Sequence, residues 1–206
     1  MISDTHGRHE ALSLPPGDLL IHCGDMFNLG GDSGSIREMD EWFGRQKFKL
    51  ILCTGGNHDR ELQSALAQNP QPFANAHLLS DALIRFQGLS IYGAPWVPDL
   101  PGHAFFRSAA ALVEHWSTIP ASPDILITHT PPKDVLDRSS RGRSHGCGAL
   151  ARELTRVAPR VHCFGHVHAS VGQSSIGETL FINASSIESG TGRLRRPATF
   201  SLSPRP

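Results

Sequence analysis

The chain has 206 residues, 39% of them apolar, with 19 basic side chains balanced by 19 acidic ones. That suits a single α/β domain over residues 1–206 with a core of its own, and zero formal charge leaves no global field to gather a nucleic-acid polymer or a membrane surface. No apolar run approaches the roughly 20 residues that span a bilayer, and no basic-then-apolar leader is read at the start, so a cytoplasmic protein is expected.

Only Met1 and Ile2 are available as strand residues ahead of Ser3-Asp4, so at most a strand stub is expected there, with Asp4 and His6 on a weakly anchored end. Leu19 to Cys23, bounded by Pro15-Pro16-Gly17 and Gly24, reads as a buried strand. After a glycine-rich loop, Ser35 and Glu38 have capping-box spacing, and Ile36, Met39, Trp42 and Phe43 recur as one helical stripe. Leu50 to Cys53 is a second buried strand. Asp59 reads either as a partner supporting His58 from behind or, the reading preferred here, as the cap of a helix over about Arg60 to Ala67 that Pro70 and Pro72 cannot continue.

Ala82–Phe86 and Leu89–Tyr92 flank Gln87-Gly88 as a hairpin. A helix follows with Phe105, Ala109, Leu112, Val113 and Trp116 on one face. Ile125 to Ile127 is another strand, Asp137 to Gly148 a loop rich in Arg, Ser and Gly, and Leu150, Leu154 and Val157 mark one more helix. Strand-like runs at Val161–Phe164, Thr179–Asn183 and Thr199–Leu202 close the chain, and residues 203–206 read as a frayed tail. Strands alternating with helices predict parallel pairing early on, and helix-free strands predict a mixed sheet at the end. The expected architecture is α/β: a two-sheet mixed sandwich flanked by helices.

The strands share one feature. Each is followed without a gap by a polar cluster: Gly24-Asp25, Gly56-Asn57-His58-Asp59, Thr128-His129-Thr130 and Gly165-His166-Val167-His168, with Ser3-Asp4-Thr5-His6 after the stub. Ligand sites of open α/β sheets lie beyond the carboxyl ends of strands, so the clusters are expected to meet in one cleft. His166 and His168, two residues apart in extended chain, project to one side. The pooled donors are carboxylate, amide oxygen and imidazole, which suit two divalent ions drawn from Mn, Fe or Zn, with Asp25 able to bridge them. The cysteines Cys23, Cys53, Cys147 and Cys163 show no CxxC spacing and are expected as reduced, mostly buried thiols.

In order, D-x-H, G-D, G-N-H-D, T-H and G-H-x-H over residues 4–168 resemble the calcineurin-like metallophosphoesterase superfamily. The flanking text at Asp4 to His9, Thr130-Pro131-Pro132 and His145-Gly146-Cys147-Gly148 is similar to its branch of class III cyclic nucleotide phosphodiesterases and their animal relatives. The resemblance implies one metal held by Asp4, His6, Asp25 and His168, and a second held by Asp25, Asn57, His129 and His166. It implies in-line attack on phosphorus by a metal-bridging hydroxide. His58 would steady the phosphoryl group or protonate the leaving alkoxide. The implied activity is a phosphodiesterase for cyclic nucleotides or similar small phosphodiesters. The alternatives are a phosphomonoesterase, protein phosphatases included, and a scaffold or nucleotide-binding protein that kept the fold.

Arg8, His9, Asn28, Arg143 and His145 are candidate substrate contacts, with Arg141 on the same basic loop. Arg193, Arg195 and Arg196 read as solvated surface. His22 and His162 alternate with apolar strand residues and read as core groups. His77, His103 and His115 show no partner pattern.

Overall fold

The computed structural model describes residues 1–28 and 35–205. The glycine-rich loop expected between Asn28 and Ser35 lies outside the described residues. Strand β1 covers Leu19–His22; helix α1, Ile36–Gly44, follows, and its capping box is complete in both directions, with Ser35 accepting from the Glu38 amide and Glu38 from the Ser35 amide. Met39, Trp42 and Phe43 form its buried stripe. Strand β2 is Leu50–Cys53, helix α2 Arg60–Leu66, and β3 the short His77–Leu78.

Strands β4 (Ala82–Phe86) and β5 (Leu89–Ala94) make the expected hairpin. Both turn residues have positive φ, 49° at Gln87 and 80° at Gly88, as a two-residue turn matched to strand twist requires. Helix α3 (Ala109–Ser117), β6 (Ile125–Thr128), α4 (Gly148–Val157), β7 (Val161–Phe164), β8 (Gly172–Ile176) and β9 (Thr179–Asn183) complete the order.

Strands β1, β2 and β3 form a parallel three-stranded sheet, and the other six pair in the order β4-β5-β6-β7-β9-β8. In the larger sheet β5, β6, β7 and β9 run parallel, and the hairpin-linked β4 and β8 are antiparallel edges. The two-sheet sandwich with helices is therefore as expected. Strand side chains alternate between two cores. Ile21, Leu52, Ile91, Ile127 and Cys163 fill the space between the sheets, while Leu20, Ile51 and Leu126 pack under the helices with Phe43, Trp116 and Leu150. Burying both faces explains why these strands read as continuous apolar runs.

Five expectations need correction. Phe105 lies outside α3: it is buried in a loop at φ 54°, and the helix begins only after Ser108 accepts the Ala111 amide. Val113 is 49% exposed rather than on the buried face, because Leu112 and Trp116 take the inward positions. Thr199–Leu202 forms no strand; it runs extended with Ala198, Phe200 and Leu202 packed against the inter-sheet core. Within the stretch expected to fray, Ser203 and Arg205 have partners: Arg160 donates to Ser203 O at 2.7 Å and Arg205 lies 3.6 Å from Asp124. Strand β8, too poor in apolar residues to announce itself, was not anticipated.

The strand stub exists and is anchored. Ile2 N donates to Ile21 O at 2.9 Å, Ile2 O accepts from Cys23 N at 3.0 Å, and Ser3 O accepts from Ser186 N at 2.8 Å. Met1 to Ser3 thus stitch β1 to the segment after β9, and Ile2 and Asp4 are fully buried. Weak anchoring of Asp4 is not observed, because these bonds replace strand length.

Candidate metal centre

The carboxyl ends of β1, β2, β6 and β7 and the end of the stub open on one cleft. Backbone bonds draw their loops together: Asp4 N donates to Gly24 O at 2.9 Å, His6 N to Asp25 O at 3.1 Å, and Gly165 N to His129 O at 3.0 Å. Asp4, His6, Asp25 and His166 all adopt positive φ, between 44° and 69°. L-residues avoid that region at a cost of roughly 1–2 kcal/mol each, and such strain persists where surrounding structure over-determines it.

Three overlapping groups of donor atoms result: Asp4–His6–His168, His6–Asp25–His58 and Asp25–His129–His166, each with donor atoms within 4.8 Å of one another. Asn57 joins the third group, its Oδ1 3.1 Å from His129 Nε2. All eight residues expected at the site are therefore brought together.

The imidazoles are aimed by their far nitrogens. His129 Nδ1 donates to Cys23 O at 2.8 Å, and His6 Nδ1 to Phe27 O at 3.1 Å. Each leaves Nε2 turned inward as a lone-pair donor, the usual arrangement behind a metal-binding histidine. His129 Nε2 then faces two oxygen acceptors, Asn57 Oδ1 and, at 3.4 Å, Asp25 Oδ2. His6 Nε2 faces His168 Nε2 at 3.4 Å, and His168 Nε2 lies 3.3 Å from Asp4 Oδ1. Acceptors and lone pairs crowd on one another, which is what a bound divalent cation resolves; the donor set fits such ions.

The titrations say the same. Burial opposes charge on Asp4, yet the His168 hydrogen bond and neighbouring imidazoles hold its carboxyl well below the usual range. Burial likewise works against Asp25, but His129 wins and holds it at about 2. Burial alone would lower His129, but Asp25 and Asp4 raise it to about 9. The pocket is thus built to carry carboxylate charge that needs a positive partner.

Other residues support these ligands from behind. Asp4 accepts from His166 N at 3.0 Å and from Ser185 Oγ at 2.8 Å. Asp59 makes no side-chain cap for α2; it accepts from the amides of Asp25 at 2.9 Å, Phe27 at 3.0 Å and Gly56 at 2.9 Å. The capping role expected for it is corrected on that geometry: its oxygens point away from the helix it precedes. Arg195, expected as solvated surface, is half-buried and donates to His168 O at 2.9 Å and Ile187 O at 3.0 Å. The motif itself contained Asp59; neither Ser185 nor Arg195 carried a sequence signal.

His58 stands at the edge of the group, half-buried, its ring centroid 4.7 Å from that of His6 and its Nε2 3.9 Å from Asp25 Oδ2. Burial depresses its pKa. His103, for which no role was expected, has its ring centroid 6.3 Å from that of His58. Of the candidate substrate contacts, His145 is exposed with its ring 6.5 Å from His166, and Asn28 donates to His6 O at 3.2 Å. Arg8 donates to Gly192 O, and Arg141 and Arg143 are exposed on their loop. His9 is not brought to the cleft: it is buried, its ring 5.1 Å from Trp42. His22 and His162 are buried as expected, bonded through Nε2 to the hydroxyls of Thr5 and Thr128 at 3.0 and 2.9 Å. All four cysteines are free and buried. Among the described residues no helix is long and apolar enough to cross a membrane.

Comparison with known proteins agrees with this arrangement. The family model described as calcineurin-like phosphoesterase matches residues 1–170. The human metallophosphoesterase domain-containing protein 1 is 34% identical over 210 residues, covering 89% of this chain and 64% of its own length. UPF0046 protein C25E10.12 of Caenorhabditis elegans is 36% identical over 206 residues, covering 89% of this chain and 73% of its own. The chain thus spans less than two thirds of the human relative. Among solved structures, the crystal structure of TT1561 of Thermus thermophilus superposes with a TM-score of 0.60 at 14% identity, over 89% of this chain and 87% of that one. Another crystal structure does so with a TM-score of 0.69 at 16% identity, over 89% and 88%.

Proposed function

This chain belongs to the calcineurin-like phosphoesterase family, and on that premise we propose that it is a dinuclear metal-dependent phosphodiesterase for small phosphodiesters, cyclic nucleotides among them. The observation that carries the reading is Asp25, whose carboxylate is shared between the donor group of His6 and His58 and that of His129 and His166. One ion would be held by Asp4, His6, Asp25 and His168, the other by Asp25, Asn57, His129 and His166. Such ions, Mn, Fe or Zn, supply Lewis-acid polarisation of a phosphoryl oxygen and acidify water toward a pKa of ~7.

The chain's own residues do the rest. The carbonyls of Cys23 and Phe27 keep His129 and His6 in the tautomer that offers Nε2. His58, beside the cluster and partly open to solvent, is placed to hold a phosphoryl oxygen or to pass a proton from its ring to the departing alkoxide. A positioned acid of this kind contributes roughly 10²–10⁴-fold. His145, near His166 and exposed, is the best placed of the expected substrate contacts. Four unpaired cysteines suit a reducing compartment, so the cytoplasm is the proposed location.

The test is turnover of bis-p-nitrophenyl phosphate by Mn-loaded protein, with p-nitrophenyl phosphate beside it. Preference for the diester supports the proposal, and preference for the monoester replaces it with a phosphomonoesterase. Asp25→Ala should lose bound metal and turnover together; full turnover in that variant would end the two-ion reading. A scaffold role is disfavoured by the complete donor set.

A further inference from the structure

The loop between β5 and α3 is pinned to the turn that carries Asn57 and His58. Ala104 N donates to Asn57 O at 3.1 Å, Phe105 N to Gln63 Oε1 at 3.2 Å, and Arg60 Nη2 to Gly102 O at 2.5 Å. Phe105 is buried and lies against Gly55 so closely that a Cβ there would sit 2.2 Å from its ring. It holds this place at φ 54°, and Asp99 and Gly102 are in the left-handed region too, at 56° and 83°. A bulky residue keeps that conformation where its surroundings over-determine it, and such strain gathers at functional sites. The residue held in the middle of these fastenings is His103.

Its backbone is fixed, its N–H donating to Leu100 O at 3.1 Å, but its side chain is not spent on the fold. His22, His162 and His115 each face a hydroxyl or a carboxylate. The His103 ring has no such partner among the described residues, and its Nδ1 is shielded from solvent and unpaired. The half-buried ring extends a row of imidazoles outward from the metal centre. Centroids are 5.3 Å apart from His168 to His6, 4.7 Å from His6 to His58 and 6.3 Å from His58 to His103. His58 Nδ1 is likewise shielded and unpaired. A shielded N–H without an acceptor costs more than a shielded lone pair, so both neutral rings carry their proton on Nε2. For His58 that nitrogen faces Asp25 Oδ2 at 3.9 Å; for His103 it is the nitrogen left open. Two N–H donors thus stand side by side at the solvent edge of the cleft.

Resting on the phosphodiesterase reading, we propose that His103 binds the leaving group. Its Nε2–H donates to a hydroxyl vicinal to the departing oxygen, which selects esters of 1,2-diols, ribonucleosides among them, over their deoxy counterparts. His58 protonates the oxygen that leaves, so the atoms next to that oxygen lie beyond His58, where His103 is. Vicinal oxygens are neighbours, and two adjacent donors engage them together. In 3′,5′-cyclic AMP the pair is O3′ and the 2′-hydroxyl. Hydroxide, formed from water that has lost a proton to solvent, bonds phosphorus through its oxygen. The P–O3′ bond breaks with its electron pair left on O3′. His58 protonates O3′ and recovers a proton from solvent, while His103 keeps its own throughout.

The test compares 3′,5′-cyclic AMP with its 2′-deoxy counterpart as substrates of the Mn-loaded full chain, with bis-p-nitrophenyl phosphate beside them. The ratio of kcat/KM should favour the ribose substrate by about five- to tenfold, the effect of one hydrogen bond, and the product should be the 5′-monophosphate. His103→Phe keeps a ring without an N–H and should bring the ratio to within about twofold of unity; His103→Gln, which restores a donor, should recover part of the preference. A ratio taken within one preparation does not depend on how much of the protein is active, and the wild-type ratio and product decide whether or not a variant folds. A wild-type ratio near unity, a ratio unchanged in His103→Phe, or a 3′-monophosphate product overturns the proposal. Turnover of bis-p-nitrophenyl phosphate with neither cyclic nucleotide hydrolysed overturns it and leaves the phosphodiesterase reading standing. Turnover of no diester at all ends both.

Discussion

The carboxylate of Asp59 grips Asp25 from behind, its Oδ2 accepting the Asp25 amide at 2.9 Å while its Oδ1 accepts the Phe27 amide at 3.0 Å. The Gly56 amide completes the set, so one buried side chain ties the loop after β1 to the loop after β2. Burial and the nearby charge of Asp25 push the Asp59 pKa up to about 7, which measures what holding it there costs. Asparagine has one acceptor oxygen, and its amino group would meet an N–H. Asp59→Asn should therefore lower unfolding free energy by about 1–3 kcal/mol and reduce bound metal per chain. Denaturant titration and metal analysis check this; unchanged values in both would mean that the loops hold their shape without it.

Gly165 lies against Asp4 so closely that a methyl group would sit 2.2 Å from Asp4 Oδ2 and 2.0 Å from Ser3 Oγ. Both atoms belong to the buried stub and cannot swing aside. Gly165→Ala should lose metal and unfold at lower temperature, by roughly 1–3 kcal/mol of overpacking. Ser185→Ala, which removes one hydrogen bond to Asp4, should cost about 1 kcal/mol. An inverted order of the two effects would show that Asp4 is placed by its bonds rather than by the space around it.

His58 should separate proton transfer from metal retention. His58→Asn should keep the metal content and lower kcat by roughly 10²–10⁴-fold on diesters with alkoxide leaving groups. Loss on bis-p-nitrophenyl phosphate, whose leaving group needs little protonation, should be smaller. Equal losses on both substrates would assign His58 to holding the phosphoryl group instead.

His162 predicts a pH dependence of stability away from the cleft. Burial drops its pKa to about 3 from the ordinary 6.5, and it packs among Phe164 and Phe181. As pH falls below about 6.5 the unfolded chain takes up a proton that the folded chain refuses. Stability is thus undiminished above 6.5 and declines between 6.5 and 3, by about 1.4 kcal/mol per pH unit for this group. His22, also lowered to about 3, adds a second such slope. His162→Phe should make unfolding free energy less steep between pH 6 and 4 by about one proton. An identical slope would show that the imidazole charges within the fold.

Much of the architecture could be read before any coordinates. Apolar runs such as Leu50–Cys53 carry their strand character in themselves, because both faces are buried, and the Ser35–Glu38 box is a local device. Phe105 and β8 could not be read this way. Phe105 has the spacing of a helical residue, but its ring packs over Gly55 from a loop. Strand β8 owes its existence to pairing with β9 rather than to apolar side chains of its own.

The sequence by itself determined which donors exist and which strand end each one follows, since ligand type and strand polarity are local properties. Only tertiary structure decided which way Asp59 points, that His9 belongs to the core beside Trp42, and that Ser185 and Arg195 stand behind Asp4 and His168. Those outcomes depend on contacts between segments up to 181 residues apart, such as Ser185 with Asp4, and no local periodicity encodes the meeting of two distant loops.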